Sequence, residues 1–461
     1  MARFVGNRDG REALSRALAL ERAGRLDEAE ALHRESLAGD PECRQSLQFL
    51  AGRAYRRGDY AMAAGYTQRY LALDPDNTDA LRGLGQMLEH LGRPREALGC
   101  FARVLALAPR DPRSLLFLGV ELAELGERIA AISAASLIES GLRQILAAGQ
   151  DAPALANFKE RATRLSSLLA EYRREIIDRA VGSAGHATAD ADRDRVARAV
   201  WRPEAADFGG DRRRPNYFYV PGLPDRPWFD PDEFSWARGL AACTDELAAE
   251  VSAELDLDRD LDAYVDAHLG QVSTWRNLAG RTDWGSLHFF NAGRCNQQAL
   301  DRFPGIAAVL DELPLAQMGG TPIEALLSVL KPRTEIPPHA GMFNHRLTVH
   351  LPLIVPSGCG VEVAGETRDT KTGKLLIFDD SYMHRAWNTS DRPRIVLIFE
   401  ILNPLLDSEE HKAIARMTEE MLAFETERKR TIEDAIDRAA LSPPTTKDTA
   451  HGFQEWSRTH E

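Results

Sequence analysis

Apolar and polar positions follow different periods in the two halves of the chain. In the first half they recur every three or four residues, as at Leu165, Leu168, Leu169 and Tyr172, which predicts amphipathic helices. From about residue 215, short apolar runs lie between turn-forming residues; these are ALLSVL, LTVHLPLIV, GVEVAGE, KLLIFDD and RIVLIFEIL. Their length and β-branched content predict strands. The pattern therefore predicts an α-helical first half and a β-rich second half.

Three residue types repeat with one period in the helical half. Each series advances by 34 residues: Gly24, Gly58, Gly92 and Gly126; Ala29, Ala63, Ala97 and Ala131; Pro41, Pro75 and Pro109. The glycine allows a tight turn after one helix, the alanine lets paired helices approach, and the proline stops the second helix. This pattern resembles the tetratricopeptide repeat, which implies a solenoid that binds a peptide or protein partner. A structural spacer or a dimerisation element is the alternative.

Four segments are expected in an α+β multidomain chain. They are an all-α tetratricopeptide solenoid (1–145), a capping helix and linker (146–200), a jelly-roll domain (201–405), and a C-terminal helix with a frayed tail (406–461). The regular spacing of short strands in the third segment predicts a double-stranded β-helix, or jelly roll, with flanking helices.

The amino-acid composition argues against some classes of function. A net charge of -13 argues against nonspecific nucleic-acid binding, which needs a basic face. The five cysteines are scattered, which predicts reduced thiols and a cytoplasmic location. No apolar run approaches the ~18 residues of a membrane span, and the N-terminus has no signal core. We therefore expect no membrane span.

Two histidines and an arginine in the β-rich half could form one metal and anion site. His339 precedes the run LTVHLPLIV, His384 follows KLLIFDDSYM, and Arg394 lies ten residues after His384. In a jelly roll, strands distant in sequence line one cavity, so these side chains can converge. Two imidazoles suit Fe(II) with positions open for a 2-oxo acid and O₂, and a guanidinium can hold a carboxylate. This order of residues is typical of a 2-oxoglutarate oxygenase.

One residue departs from the usual iron site. That site adds an acid two residues after its first histidine, but here the position is held by Gly341. Either Asp379 or Asp380 is an alternative third ligand, although a turn or a supporting role behind the ligands is favoured for both.

The segments around these residues resemble one family. PHAGMFNHRLTVHLPL and GETRDTKTGKLLIFDDSYMHRAWNTSDRPRIVLIFEI, with the upstream NYFYVPGLPDRPWFD and DWGSLHFFNAGRCN, are similar to segments of the aspartyl/asparaginyl β-hydroxylase family. In that family two histidines hold the iron and a glycine replaces the acid, so Gly341 matches the family pattern. The resemblance implies Fe(II), 2-oxoglutarate as cosubstrate, O₂, and β-hydroxylation of Asp or Asn in a peptide or protein.

The resemblance also implies roles for single residues. His339 and His384 match the iron ligands, and Arg394 matches the arginine that pairs with the far carboxylate of 2-oxoglutarate. Positions that contact the cosubstrate match Trp284, Ser328 and His350. Arg346 matches an arginine beside the substrate. Thr348 stands where mammalian members have a second arginine, which leaves the substrate more open than the reaction.

Several alternatives remain from the sequence. Arg392 competes with Arg394, His345 and His288 are expected at the surface or in packing, and Trp284, Trp387 and Arg346 have purely structural alternatives. The same chemistry could act on a lipid acyl chain or a carrier-bound amino acid. A non-catalytic scaffold built on the repeats is the alternative from another class.

Overall fold

The computed structural model describes residues 2–148, 156–182, 194–203 and 208–441. The chain divides into two compact units, one of Met1–Arg174 with Leu422–Glu461 and the other of Glu175–Met421. Most of the predicted linker after residue 182, and the predicted tail after residue 441, lie outside the described residues.

Successive helices form the first unit, as the 34-residue period predicts. They are α1 (Ala2–Arg22), α2 (Leu26–Gly39), α3 (Arg44–Arg56), α4 (Tyr60–Leu73), α5 (Thr78–His90), α6 (Pro94–Leu107), α7 (Pro112–Glu124), α8 (Arg128–Leu137), α9 (Glu139–Ala147) and α10 (Ala156–Gly182), which continues into the second unit. The four periodic alanines are all fully buried. The four periodic glycines have φ between 69° and 82°, a left-handed conformation that glycine adopts without strain. The prediction of helical repeats is confirmed.

Within the described ranges, no single helix is long and apolar enough to cross a membrane. Among the described helices, the pair α8 and α9 passes that length and composition test when taken together, and the two are bent by 75° relative to each other.

Two antiparallel sheets form the β-rich part of the second unit. The strands are β1 (Val200–Trp201), β2 (Phe218–Tyr219), β3 (Trp228–Phe229), β4 (Asp262–Ala263), β5 (Trp284–Asn291), β6 (Arg294–Cys295), β7 (Gln317–Met318), β8 (Thr321–Pro322), β9 (Glu324–Leu330), β10 (Thr334–His339), β11 (Arg346–Ile354), β12 (Cys359–Val363), β13 (Glu366–Asp369), β14 (Leu376–Phe378), β15 (His384–Asn388) and β16 (Arg394–Leu402). The larger sheet has the order β3-β14-β11-β16-β9-β5-β4, with β6 beside β5, and the smaller sheet has the order β10-β15-β12-β13. Two further strand pairs, β1-β2 and β7-β8, stand apart from these sheets.

Short helices accompany these sheets. They are α11 (Asp194–Ala197), α12 (Ala237–Ala242), α13 (Thr244–Glu254), α14 (Gln297–Arg302) and α15 (Pro304–Glu312), and the last helix is α16 (Ser408–Leu441). Asp407 caps α16, because its Oδ1 accepts hydrogen bonds from the backbone N–H groups of Glu409 and Glu410, and aspartate is a preferred residue at this position.

The central strands of the larger sheet separate an apolar core from a cavity. Side chains alternate between the two faces of a strand, and in β16 the odd-numbered Ile395, Leu397 and Phe399 join the main core. The even-numbered Arg394, Ile398 and Glu400 line the cavity. The alternation in RIVLIFEIL therefore places the charged side chains of Arg394 and Glu400 on the face opposite the core.

Candidate active site

His339 and His384 lie side by side where β10 ends and β15 begins. The two strands pair antiparallel, and after an irregularity that follows Ile336 the register sets His339 opposite His384. Their ring centroids are 4.1 Å apart. Strand pairing thus brings together two histidines that are 45 positions apart in the sequence.

Both imidazoles are fixed by the backbone. His339 Nδ1 lies 2.8 Å from the carbonyl oxygen of Pro337, and His384 Nδ1 lies 3.0 Å from that of Tyr382. A carbonyl only accepts hydrogen bonds, so each Nδ1 donates and each Nε2 keeps its lone pair. This is the arrangement that metal-binding histidines use to orient the ring.

Burial keeps both rings neutral. It lowers the pKa of His339 to about 4, with a further contribution from His384, and burial also lowers the pKa of His384. A metal ligand must be the neutral imidazole, so at neutral pH both rings are in the state that binds a metal.

Arg394 is a buried cation without an acidic partner among the described residues. Its side chain begins β16, the residue is 1 % exposed, and its Nε and Nη2 have no hydrogen-bond partner among the described residues. Burial lowers its pKa to about 10, so it stays protonated at neutral pH. Burying a charge without a partner costs several kcal/mol, and the guanidinium is therefore suited to an anion that enters the cavity.

The three residues with a predicted cosubstrate role line the same cavity as Arg394. Trp284 on β5 and Arg394 on β16 both pair with Leu330, which lies between them on β9. The indole Nε1 of Trp284 donates to Ser328 Oγ at 3.2 Å. His350 is 7 % exposed, its Nδ1 lacks a partner among the described residues, and burial followed by the charge of Arg394 lowers its pKa.

Gly341 is required by its neighbour Asp380. Its backbone N–H donates to the Asp380 carbonyl at 2.8 Å, and a Cβ at position 341 would lie 2.3 Å from Asp380 Cγ. The space in which a side chain at position 341 would begin is therefore already filled by a carboxylate. That carboxylate does not complete a metal site with the histidines: in the described part of the chain, no group of three or more His, Cys, Asp or Glu side chains could hold a metal.

Arg346 lies in the cavity but is already paired. It forms a short ion pair with Glu400, and its guanidinium lies 4.0 Å above the centre of the Phe343 ring. Glu324 and Asp380 line the same part of the cavity. The sequence interpretation missed Glu324 and Glu400, although two-residue alternation in RIVLIFEIL places Glu400 on the face of Arg394.

The other residues that the sequence offers for the site either lie away from the two histidines or make structural contacts. Arg392 is exposed, and Trp387 stacks with Arg385 outside the cavity. Asp379 is 1 % exposed and accepts hydrogen bonds from the Ser381 backbone and hydroxyl, which fixes the turn before His384.

Two other histidines, which the sequence analysis expects at the surface or in packing, also make structural contacts. His345 is buried and packs edge-on against Phe218 and Phe343. His288 Nε2 lies 3.7 Å from a Glu324 carboxylate oxygen.

His339, His384 and Arg394 line one cavity of about 490 Å³ to which both sheets contribute. The apolar residues Ile336, Val361 and Phe378 pack between the sheets around it. The cavity thus combines two neutral imidazoles, an unpaired guanidinium and an apolar wall.

Comparison with known proteins agrees with this picture. Residues 245–404 match the family model for aspartyl/asparaginyl beta-hydroxylase, and residues 49–112 match that for the tetratricopeptide repeat. The human aspartyl/asparaginyl beta-hydroxylase is 32% identical over 139 residues, which are 30% of this chain and 18% of that protein. The mouse aspartate beta-hydroxylase domain-containing protein 2 is 28% identical over 206 residues, 44% of this chain and 58% of that protein.

A bacterial relative is also similar. The ornithine lipid ester-linked acyl 2-hydroxylase of Rhizobium tropici is 29% identical over 186 residues, 40% of this chain and 57% of that protein. The similar region covers less than two thirds of each of these three relatives. Residues 245–404 of the chain are thus similar to the aspartyl/asparaginyl β-hydroxylase family, and a match to the tetratricopeptide repeat precedes them in the same chain.

Proposed function

We propose that this protein is an Fe(II)- and 2-oxoglutarate-dependent dioxygenase that hydroxylates the β-carbon of Asp or Asn residues in a peptide or protein. We also propose that its two sheets are the faces of a jelly roll within residues 201–405. The observation that carries the proposal is the unpaired, buried Arg394 in the cavity of two neutral histidines.

The residues present fit the iron and the cosubstrate. His339 and His384 each keep an Nε2 lone pair for Fe(II), because their Nδ1 atoms donate to backbone carbonyls. Two guanidinium nitrogens of Arg394 have no partner in the part of the chain that the structure describes, and a carboxylate could satisfy both through two hydrogen bonds. Iron with 2-oxoglutarate and O₂ supplies the oxidative chemistry of hydroxylation when bound.

The chain's own residues would orient and shield these groups. Arg394 holds the far carboxylate of the cosubstrate, and the Trp284–Ser328 hydrogen bond fixes the wall beside it. His350 is kept neutral by burial and by Arg394, so its ring can accept or donate a hydrogen bond without adding charge. The apolar residues between the sheets exclude water, which strengthens the ion pair that Arg394 would form.

The repeats supply a second proposed role. Tetratricopeptide solenoids present a concave face that binds peptides, and we propose that this one docks the protein substrate of the dioxygenase domain. The four segments at 1–145, 146–200, 201–405 and 406–461 divide these roles along the chain.

Mass spectrometry of candidate acceptors tests the proposal. Purified protein is incubated with Fe(II), 2-oxoglutarate, O₂ and a panel of peptides that contain Asp or Asn, and succinate is measured in parallel. We expect one added oxygen atom in a peptide and an equal amount of succinate. Both products should disappear in His339→Ala.

Two outcomes would contradict parts of the proposal. An oxygen atom added to an acylated lipid, and to no peptide, would replace the peptide substrate while keeping the reaction. Neither succinate nor 2-oxoglutarate binding under any condition would contradict the reaction itself.

A further inference from the structure

Residues 213–218, which lead into β2, contact the chain beside both histidines of the cavity. One set of hydrogen bonds joins this segment to residues 340–342, directly after His339. Another contact joins it to the turn at residues 379–382, shortly before His384. The segment is therefore placed to determine how the two histidines lie relative to each other.

The chain directly after His339 is held by Asn216 through two hydrogen bonds. The Asn216 side chain donates from Nδ2 to the Ala340 carbonyl at 2.6 Å. Its backbone N–H donates to the Gly341 carbonyl at 2.9 Å. A single residue thus binds both of the peptide carbonyls that follow His339.

The contact continues over the next residues of both segments. The backbone N–H groups of Tyr217 and Phe218 both donate to the Met342 carbonyl at 3.0 Å, and Phe218 forms an isolated parallel bridge with Phe343. The loop that begins after His339 therefore follows the position of this segment over several residues.

The turn before His384 is bound two residues earlier in the same segment. The backbone N–H of Arg214 donates to the Ser381 carbonyl at 2.7 Å. The adjacent carbonyl, that of Tyr382, lies 3.0 Å from His384 Nδ1 and fixes the imidazole ring. Because the carbonyls of Ser381 and Tyr382 are neighbours in the chain, a movement of the first would also turn the second.

Arg213 anchors the segment from the buried side. The residue is 1 % exposed, and its Nη2 forms an ion pair with Asp211 at 2.8 Å. Its Nη1 lies 4.0 Å from Asp379 Oδ2, and its guanidinium lies 5.7 Å from the centre of the Tyr382 ring. The hydrogen bonds to the two histidine-bearing stretches therefore start from a fixed base.

The composition of the metal site makes this anchoring important. In the part of the chain that the structure describes, no group of three or more His, Cys, Asp or Glu side chains could hold a metal, so no third protein ligand fixes the spacing of His339 and His384. Ligand orientation then depends on the residues behind the ligands. Arg214 and Asn216, only two positions apart, connect one histidine-bearing stretch to the other.

We propose that Asn216 is a positioning residue for the metal site and that, with the backbone of Arg214, it fixes the spacing of His339 and His384. Asn216 lines the cavity, but its amide nitrogen is engaged by the Ala340 carbonyl, so it acts through the chain beside the ligand. This inference rests on the metal site of the proposed function and adds to it a residue that the sequence analysis does not assign.

Metal titration of two Asn216 variants tests the inference. Co(II) is the probe, because nitrogen ligands bind it more tightly than Fe(II) and its visible absorption depends on the coordination geometry. Asn216→Ala removes the bond to Ala340, and Asn216→Asp keeps the size of the side chain but has no N–H to donate. We expect both variants to bind Co(II) about tenfold more weakly than the wild type, at the lower end of the loss caused by changes behind metal ligands, with an altered absorption spectrum.

Asn296→Ala is the matched control. Asn296 Nδ2 also donates to a backbone carbonyl, that of His288, at 2.9 Å, and its Oδ1 accepts from the Ala299 N–H at 3.1 Å. Unlike Asn216, it lies outside the described lining of the cavity. The control loses two side-chain hydrogen bonds, so it should lower Tm at least as much as Asn216→Ala while keeping the wild-type Co(II) affinity and spectrum.

Results that contradict the positioning role are distinct from those that contradict the reaction. Asn216 variants with wild-type Co(II) affinity and spectrum would overturn the positioning role, even if KM for an acceptor peptide rose, because that pattern marks a substrate contact. An equal loss of Co(II) affinity in Asn296→Ala would overturn it too, since the effect would then follow stability.

Two results concern the proposed function. Co(II) and Fe(II) binding without succinate formation from 2-oxoglutarate would overturn the reaction and leave the positioning role intact. A wild-type protein that binds neither metal would overturn the proposed function and this inference together.

Discussion

Replacing Gly341 by alanine should destabilise the β-rich unit through one defined contact. A Cβ at this position would lie 2.3 Å from both Cγ and Oδ2 of Asp380 and 2.4 Å from Oδ1, whereas non-bonded heavy atoms prefer about 3.5–4.0 Å. The backbones cannot separate freely, because the Gly341 N–H donates to the Asp380 carbonyl. The φ of Gly341 is not positive, so backbone strain adds nothing to the steric contact.

The expected magnitude follows from overpacking. Forcing a methyl group into a filled space lowers the free energy of unfolding by about 1–3 kcal/mol. In a unit of this size each kcal/mol lowers Tm by roughly 2–4 °C. Differential scanning calorimetry measures the change directly.

Two variants make the interpretation specific. Gly239→Ala in α12 is the control, because no atom lies within 4 Å of its added Cβ; alanine there should be neutral or stabilise by about 0.5–1 kcal/mol. Asp380→Ala removes the clashing atoms, so Gly341→Ala should cost at least about 1 kcal/mol less in that background. A Gly341→Ala protein that unfolds at the wild-type temperature would refute the reasoning.

Three further predictions follow from single contacts. His384→Ala should lower Fe(II) affinity more than about 100-fold, since even the loss of supporting groups costs 10–100-fold; unchanged affinity in equilibrium dialysis would place the metal elsewhere. Ser328→Ala leaves the buried Trp284 N–H without its acceptor, so thermal unfolding should show a cost of about 1–3 kcal/mol, and equal stability would contradict that bond. Burial raises the pKa of the Glu89 carboxyl from 4.5 to about 8. Between these two pH values the folded repeats keep the Glu89 proton, whereas the unfolded chain has released it. Their stability should fall as pH rises between about 5 and 9, and Glu89→Gln should flatten that fall in thermal denaturation.

The helical repeats were predictable because their signals are local. Gly24, Gly58, Gly92 and Gly126 each adopt a positive φ, and the alanines of the same period are fully buried. Both properties are set within one helical hairpin, so a single sequence reveals them without knowledge of distant contacts.

The histidine pair and Arg394 were predictable for a different reason. Their residue types and order indicate the chemistry, and the segments around them resemble a family. Pairing of β10 with β15 then brings the imidazoles together, and two nitrogens of Arg394 remain without a hydrogen-bond partner within the described ranges.

The acid-rich part of the cavity could not be assembled in the same way. Glu324 begins β9, Asp380 follows β14 and Glu400 lies within β16, so whether they share one cavity depends on how these distant strands pair. Arg346 likewise reads as free for substrate until the pairing of β11 with β16 places it near Glu400. The pairing of strands that are distant in the sequence therefore determines which of these residues are neighbours, and the sequence alone does not reveal that pairing.

Calorimetric titration of 2-oxoglutarate tests the central claim most directly. It is carried out with Fe(II) in the absence of O₂ on the wild-type protein, Arg394→Met and Arg392→Met. Loss of the buried partner should weaken binding by at least about 100-fold in Arg394→Met. Arg392→Met should bind as the wild type does, because Arg392 is exposed two residues away. A wild-type protein that does not bind 2-oxoglutarate, or an Arg394→Met variant that binds it equally well, would contradict the account.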